Sequence, residues 1–346
     1  MENFTDVLIE LSALPGPAGF EEPVAKRAEA LLEPYMDEAY TDVMGNVFGI
    51  KRCGKEDAPK LMFDAHIDEI GLIVTGAEEG FLRFAALGGL DTRIMPASGV
   101  EILTDPPRYG VVCVLPPHVL KKEDTEKAIK IEDMFIDTGL DQDEAIELFP
   151  PGTPAVLVCS ARKFGDNCIC GKALDDRAGF VAILQALEYL KGADLETDIC
   201  VMASVQEEVG TRGAAPGAFS VSPDYCIVVD VGHAKTPDSK PVEVNEQLGG
   251  GVIISIGPNI NGKLAEKATK LAGETGVKYQ INVEPGGNSG TNARVIQIAR
   301  SGVATAIFGI PLKYMHSTYE VVSAEDIDST ARLLCEFAKS LKGGAL

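Results

Sequence analysis

From residue 172 onward the chain alternates helix-periodic stretches with short apolar, β-branched runs, and this alternation constrains its fold more than any other feature. The pattern predicts helices over 176–191, 262–273, 291–301 and 324–341, interleaved with strands over 199–205, 225–230, 252–256, 279–283 and 304–309. Elements in that order build an α/β sheet with helices on both faces, since strands this apolar must be covered. Such sheets bind ligands in the crevice beyond the carboxyl ends of their strands. Functional side chains are therefore expected just past strands.

The first forty residues read as two amphipathic helices, one carrying Phe4, Val7, Leu8 and Leu11, the other Val24, Ala28, Leu31 and Leu32, parted by the helix-breaking segment Pro15 to Gly19. A turn at Gly45-Asn46 joins two short strands, and Lys60 to His66 is apolar enough for a buried strand. Residues 72–164 change texture, with runs at 72–74, 81–85, 100–103, 110–115 and 155–160 set between Gly, Pro and Asp clusters. That is the pattern of a small antiparallel barrel or sandwich. At 346 residues the chain exceeds what one core usually reaches. Residues 72–164 are therefore read as a domain inserted into another formed by 1–71 and 165–346. The charged stretch Lys121 to Asp133 and the helix-like run near 143–148 are read as a solvated face of the insert.

Metal-capable side chains follow apolar runs at Asp64-Ala-His66-Ile-Asp68, Leu174-Asp175-Asp176-Arg177, Gln206-Glu207-Glu208, Val229-Asp230 and Met315-His316. One such coincidence would mean little, but five at the strand ends of one sheet gather distant residues into one crevice. Two histidines with several carboxylates suit a zinc-like ion, harder than a cysteine site and softer than an all-oxygen cage. A pair of ions would need a bridging carboxylate, and the chemistry also needs a general base that is not a ligand. Glu207-Glu208 supplies one ligand and one base if the two point differently, while Asp68 can hold the second imidazole nitrogen of His66.

Each residue also has a plainer reading. His66 alone could be a satisfied core histidine, Glu207-Glu208 alone solvated charge, and Asp176 is better read as a first-turn helix acid. His118 is read as a surface histidine, and His233 is kept as a residue that could line the site. Cys168-Ile-Cys170 lacks metal-pair spacing, and the eight scattered cysteines are read as buried, reduced thiols. A net charge of -21 repels phosphate backbones and anionic headgroups, so neither nucleic acid nor a membrane surface is an expected partner. With no basic-then-apolar leader and no stretch of bilayer length, a cytoplasmic location is expected.

Asp64 to Gly71, Gly171 to Gly179, Gln206 to Gly210, Val229 to Val231 and Tyr314 to Ser317 together resemble the signature of the glutamyl aminopeptidase and tetrahedral (TET) aminopeptidase family. Pro15 to Glu21, Asp42 to Asn46 and Gly88 to Pro96 are also similar to family motifs, so the likeness spans nearly the whole chain. It implies a phosphorylase/hydrolase-like, three-layer α/β catalytic domain interrupted by a small β-barrel used in assembly. It implies two divalent ions, zinc or alternatively cobalt or manganese, one on His66, Asp175 and Asp230 and the other on Asp175, Glu208 and His316. Asp175 would bridge, Asp68 would orient His66, and Glu207 would pass a proton from the attacking water to the leaving amine. Peptides with free N-termini would be the substrates, and the chain would form homo-oligomers, from dimers to twelve-subunit shells. The sequence departs from the family at Asn292, where an aspartate is expected near the edge of the active site, and at Gly232. The alternatives are an N-acyl amino acid deacylase on the same scaffold and a non-catalytic, metal-stabilised assembly protein.

Overall fold

In the computed structural model, which describes residues 3–119, 129–240, 245–285 and 290–342, an 11-stranded mixed sheet forms the middle layer of a three-layer α/β domain. Its centre is parallel: Asp198–Ser204, Lys60–His66, Tyr225–His233 and Ala304–Lys313 lie side by side. Register sets Ser204 beside His66 and Asp230 beside Gly309, so these strands deliver their polar carboxyl ends to one edge. Each is almost wholly buried, as strands covered on both faces must be.

The helices bury the faces that their periodicity marks out. Ala324–Ser340 turns Ile327, Ala331, Leu334 and Ala338 inward at helical spacing and is capped by the Ser323 side chain. It packs with Leu174–Tyr189, which in turn contacts Phe4–Ala13 and the central strands. Gly262–Thr275 starts at Asn261, whose side chain accepts from Lys263 and Leu264, and ends at Gly276, whose φ of 72° only glycine adopts freely.

Residues between the two halves of that sheet close a six-stranded antiparallel barrel from Gly71–Glu78, Phe81–Leu87, Gly99–Ile102, Arg108–Cys113, Phe135–Asp137 and Pro154–Leu157. It has its own apolar core, built around Val74, Leu82, Ile102 and Ile136. It is thus a barrel rather than a sandwich. The closing strand, Phe135–Asp137, is too short to register as a periodic run. Of the charged stretch at 121–133, residues 121–128 lie outside the described residues, and Gln142–Leu148 is helical with a reciprocal Asp141–Glu144 cap.

Three expectations need correction. The helix expected over 291–301 is a single turn, Ala293–Ile296, because β-branched Val295 and Ile296 favour helix weakly and the chain turns left-handed at Arg300, φ 51°. Strands Arg162–Phe164, Cys168–Gly171 and Glu320–Ser323 extend the sheet beyond the helix–strand alternation. Only Cys200, Cys226 and Cys335 are buried, the other five cysteines being half-buried, and all eight are free thiols.

Candidate functional site

Six of the seven singled-out side chains, all but Asp175, lie on the central parallel strands or just past them. His66 is the last residue of its strand, and Glu207 and Glu208 follow Asp198–Ser204 by a short loop. Asp230 sits within Tyr225–His233 rather than past it, since that strand runs three residues farther than its apolar run. Asp175 lies at a break from helical geometry in Leu174–Tyr189, next to a cis peptide bond with Asp176. His316 lies in the turn after Ala304–Lys313 at a left-handed φ of 60°.

Asp175 is the centre of the arrangement. Its Oδ1 lies 3.0 Å from His66 Nε2, and its Oδ2 lies 3.5 Å from His316 Nε2, which is itself 3.4 Å from Glu208 Oε2. Two donor groups result, His66–Asp175–Asp230 and Asp175–Glu208–His316, each with ligand-type atoms within 4.8 Å of one another. They share Asp175, one oxygen turned to each side. Glu207 lines the same cavity, about 590 Å³ in volume, without belonging to either group.

The electrostatics of this cluster ask for a cation. Burial, reinforced by Asp175, pushes Glu208 up to about 9. Burial also pushes Glu207 up to about 7, against the pull of His66, and holds Asp230 well above the usual carboxylate range. His66 is raised in spite of its burial, because Asp175 and Asp68 favour its charged form. Carboxylates that would rather be protonated, facing imidazole nitrogens at contact distance, form a donor set that two divalent cations would satisfy.

A ring of buried acceptors holds these groups in place. Asp68 lies 3.3 Å from His66 Nδ1, but its two well-formed hydrogen bonds come from the backbone N–H of Glu207 at 3.0 Å and of Glu208 at 3.1 Å. It therefore orients the Glu207–Glu208 loop as well as the histidine. Glu21 accepts from Gln206 and Gly19, fixing the same loop one residue earlier. Glu320 accepts from Leu174, Asp175 and His316. Below Asp175, Glu69 pairs with Lys172 and with the fully buried Arg177, whose guanidinium also donates to the carbonyls of Leu11, Leu14 and Ile67. Glu21 and Glu69 fall within family-like segments without any sign of their role, and nothing local in the sequence marks Glu320.

Asn292 is buried beneath His66 and donates to Asp64 at 3.0 Å and to Ser204 at 2.8 Å. The departure from aspartate therefore changes charge behind the site, not along the edge that meets substrate. An aspartate there would face Asp64 across a dry interior and raise the cost of ionising either one. Gly232 and His233 line the cavity, and His118 is exposed on the barrel. Asp176 is buried, departs from helical backbone geometry and accepts from the N–H of Gly179, so it serves as an N-cap and not as the first-turn acid expected.

The barrel reaches the site through Gly88-Gly89. A Cβ at Gly89 would lie 2.9 Å from His316 Nδ1, and one at Gly88 would lie 3.3 Å from Glu208 Cβ. Gly89→Ala must displace the imidazole, and misplacement of a reacting group by about 1 Å can cost on the order of 10²-fold in rate. A fall in kcat/KM of at least about tenfold is expected, with an unchanged thermal midpoint; activity within twofold of wild type would show that the ring has room to move.

Comparison with known proteins gives a consistent result. A family profile described as M42 glutamyl aminopeptidase matches residues 45–333. The lysyl aminopeptidase of Pyrococcus furiosus is 37% identical over 335 residues, covering 95% of this chain and 94% of that protein. The structure of an aminopeptidase from the archaeon Desulfurococcus kamchatkensis is 33% identical with a TM-score of 0.90, over 97% of this chain and 94% of that one. The TET1 peptidase of Pyrococcus horikoshii, described as able to assemble into a tetrahedron or a large octahedral shell, is 29% identical with a TM-score of 0.84, over 97% of this chain and 99% of that one.

Proposed function

Because the chain belongs to the M42 glutamyl aminopeptidase family, and so is an aminopeptidase, we propose that it removes residues from the free N-termini of peptides using two divalent metal ions and Glu207 as general base. The observation that carries this reading is the placement of Asp175, with one oxygen toward His66 and the other toward His316, beside a glutamate that belongs to neither donor group. In this assignment His66, Asp175 and Asp230 would hold one ion, and Asp175, Glu208 and His316 would hold the other. When bound, such a pair lowers the pKa of water, polarises a carbonyl and anchors an amine.

The residues of the chain supply the rest. Glu207, held by the Asp68 clamp on its backbone, takes a proton from the attacking water and returns it to the departing amine, so the peptide C–N bond breaks with no net proton change. Among the described residues, Glu246 and Glu284 line the cavity outside both donor groups and outnumber its lining guanidinium, Arg294, and this field draws in the ammonium of a free N-terminus. An acylated N-terminus carries no such charge, which favours the aminopeptidase over a deacylase.

The test is a panel of aminoacyl chromogenic amides, short peptides and their N-acetylated counterparts, assayed after chelation and with Zn²⁺, Co²⁺ or Mn²⁺ restored. Stepwise, chelator-sensitive release from free N-termini only is the expected result. Release from N-acyl substrates alone would replace this function with the deacylase, and no release at all would favour the non-catalytic assembly protein.

The same reading divides the chain into a catalytic part and an assembly barrel near the expected bounds of 72–164, with the strand Arg162–Phe164 on the catalytic side because it pairs into the large sheet, and Gly71 opening the barrel. Support for assembly into homo-oligomers comes from the barrel's exposed apolar side chains, Tyr109 at 62% and Leu115 at 65%, and from the shells described for the Pyrococcus horikoshii relative. Light scattering on the purified protein checks it, a monomeric mass being the contrary outcome. No helix among the described residues is long and apolar enough to cross a membrane. The eight free thiols suit a reducing compartment, and a cytoplasmic location belongs to this reading.

A further inference from the structure

We propose that Glu320 is a positioning residue that sets the distance between Asp175 and His316 and thereby controls occupancy of the metal position formed by Asp175, Glu208 and His316. This role rests on the two-ion reading above. Glu320 is 2% exposed and opens the strand Glu320–Ser323, which pairs antiparallel with Cys168–Gly171 so that Glu320 stands opposite Gly171. The chain carrying Asp175 leaves one member of that pair, and the turn carrying His316 enters the other. Glu320 joins the two. Its Oε2 accepts from the N–H of Leu174 at 2.8 Å and of Asp175 at 3.2 Å, and its Oε1 accepts from the N–H of His316 at 3.0 Å.

The turn it closes is not one the chain adopts unaided, since Tyr314 and His316 both hold left-handed backbone, φ 62° and 60°. The side chain of His316 is 33% exposed, so packing constrains it less than it does His66, whose side chain is 2% exposed. The backbone anchor from Glu320 therefore carries much of its placement. All three groups facing Glu320 are donors, and satisfying both segments takes two acceptor oxygens. Glutamine offers one oxygen and one NH₂, which meets an N–H whichever way the amide is turned. Glu320→Gln thus keeps the volume and releases one segment.

The experiment is titration of the metal-stripped full-length protein with Co²⁺ by calorimetry, following the d–d absorption of each ion, for wild type and Glu320→Gln, with thermal midpoints of both stripped proteins. Loss of a partner that orients a metal ligand typically weakens affinity 10–100-fold. The expected result is two binding events in wild type, and in the variant one event weakened by that factor, the other within about threefold, and midpoints within a few degrees. Two unchanged events would overturn the role. Equal weakening of both, with a broadened or much lower unfolding transition, would mark Glu320 as a general structural residue and also overturn it. A wild type that takes up one ion would overturn the two-ion reading and this role with it. Should Glu320→Gln fail to fold, Glu320→Asp, which keeps both oxygens but is too short to reach both segments, is expected to give the same split.

Discussion

Replacing Glu207 by glutamine is expected to lower kcat by roughly 10²–10⁴-fold, the usual share of a general base, while metal content stays near that of the native enzyme. Glu207 lines the cavity but stands outside both donor groups, so its loss removes a proton acceptor without removing a ligand. Its backbone is fixed by Asp68, so the isosteric amide should occupy the same place. In the metal-free fold burial raises this carboxylate to about 7, so its surroundings favour holding a proton, as a general base must do transiently. KM should move little, because the interaction lost belongs to the transition state and not to the bound peptide. Single-turnover kinetics and elemental analysis on the same sample check both halves. Loss of metal along with activity would make Glu207 a ligand and send the search for the base elsewhere.

What could be read from the sequence, and what could not, divides along physical lines. An apolar run is a statement about burial, so Lys60–His66 and Val252–Ile256 were legible to the residue as strands. A polar residue that interrupts such a run at its end has few reasons to be there, and for that reason His66, Asp175, Glu207, Glu208 and His316 stood out. Asp230 was found although its strand continues past it to His233, because the apolar run and the hydrogen-bonded ladder end at different residues. The acceptors that hold the site were not legible. Glu320 lies 146 residues from Leu174, and its task, to receive backbone N–H groups, selects no particular neighbour in sequence. The cluster of Glu69, Lys172 and Arg177 is likewise joined across more than a hundred residues. Asn292 was seen as a departure but given the wrong location, since only the fold shows that it faces Asp64 and Ser204 beneath His66.

Stripping the metal is expected to abolish activity reversibly and to leave a protein whose stability falls as pH rises. In the metal-free fold Glu207 and Glu208 are raised to about 7 and about 9, chiefly by burial. In the unfolded chain both titrate near the ordinary glutamate value of about 4.3, so between that pH and their folded values the folded state holds protons that the unfolded state has released. Their contribution to stability is fully present below the unfolded value, and it is lost as pH rises through about 7 and then about 9. A cation bound to Glu208 would replace its proton, and the positive charge beside Glu207 would displace that proton as well, so the dependence is removed. The stabilisation gained on adding metal, about 2.7 kcal/mol at a hundredfold excess over the dissociation constant for one site, should therefore increase between pH 6 and pH 8, by at most about 1.4 kcal/mol per pH unit for each proton displaced. Denaturant unfolding with chelator and with Zn²⁺ at pH 6, 7 and 8 measures it. A stabilisation independent of pH, or a metal-free protein that grows more stable toward pH 8, would show that Glu208 does not meet the ion, and the donor group Asp175–Glu208–His316 would lose its assignment.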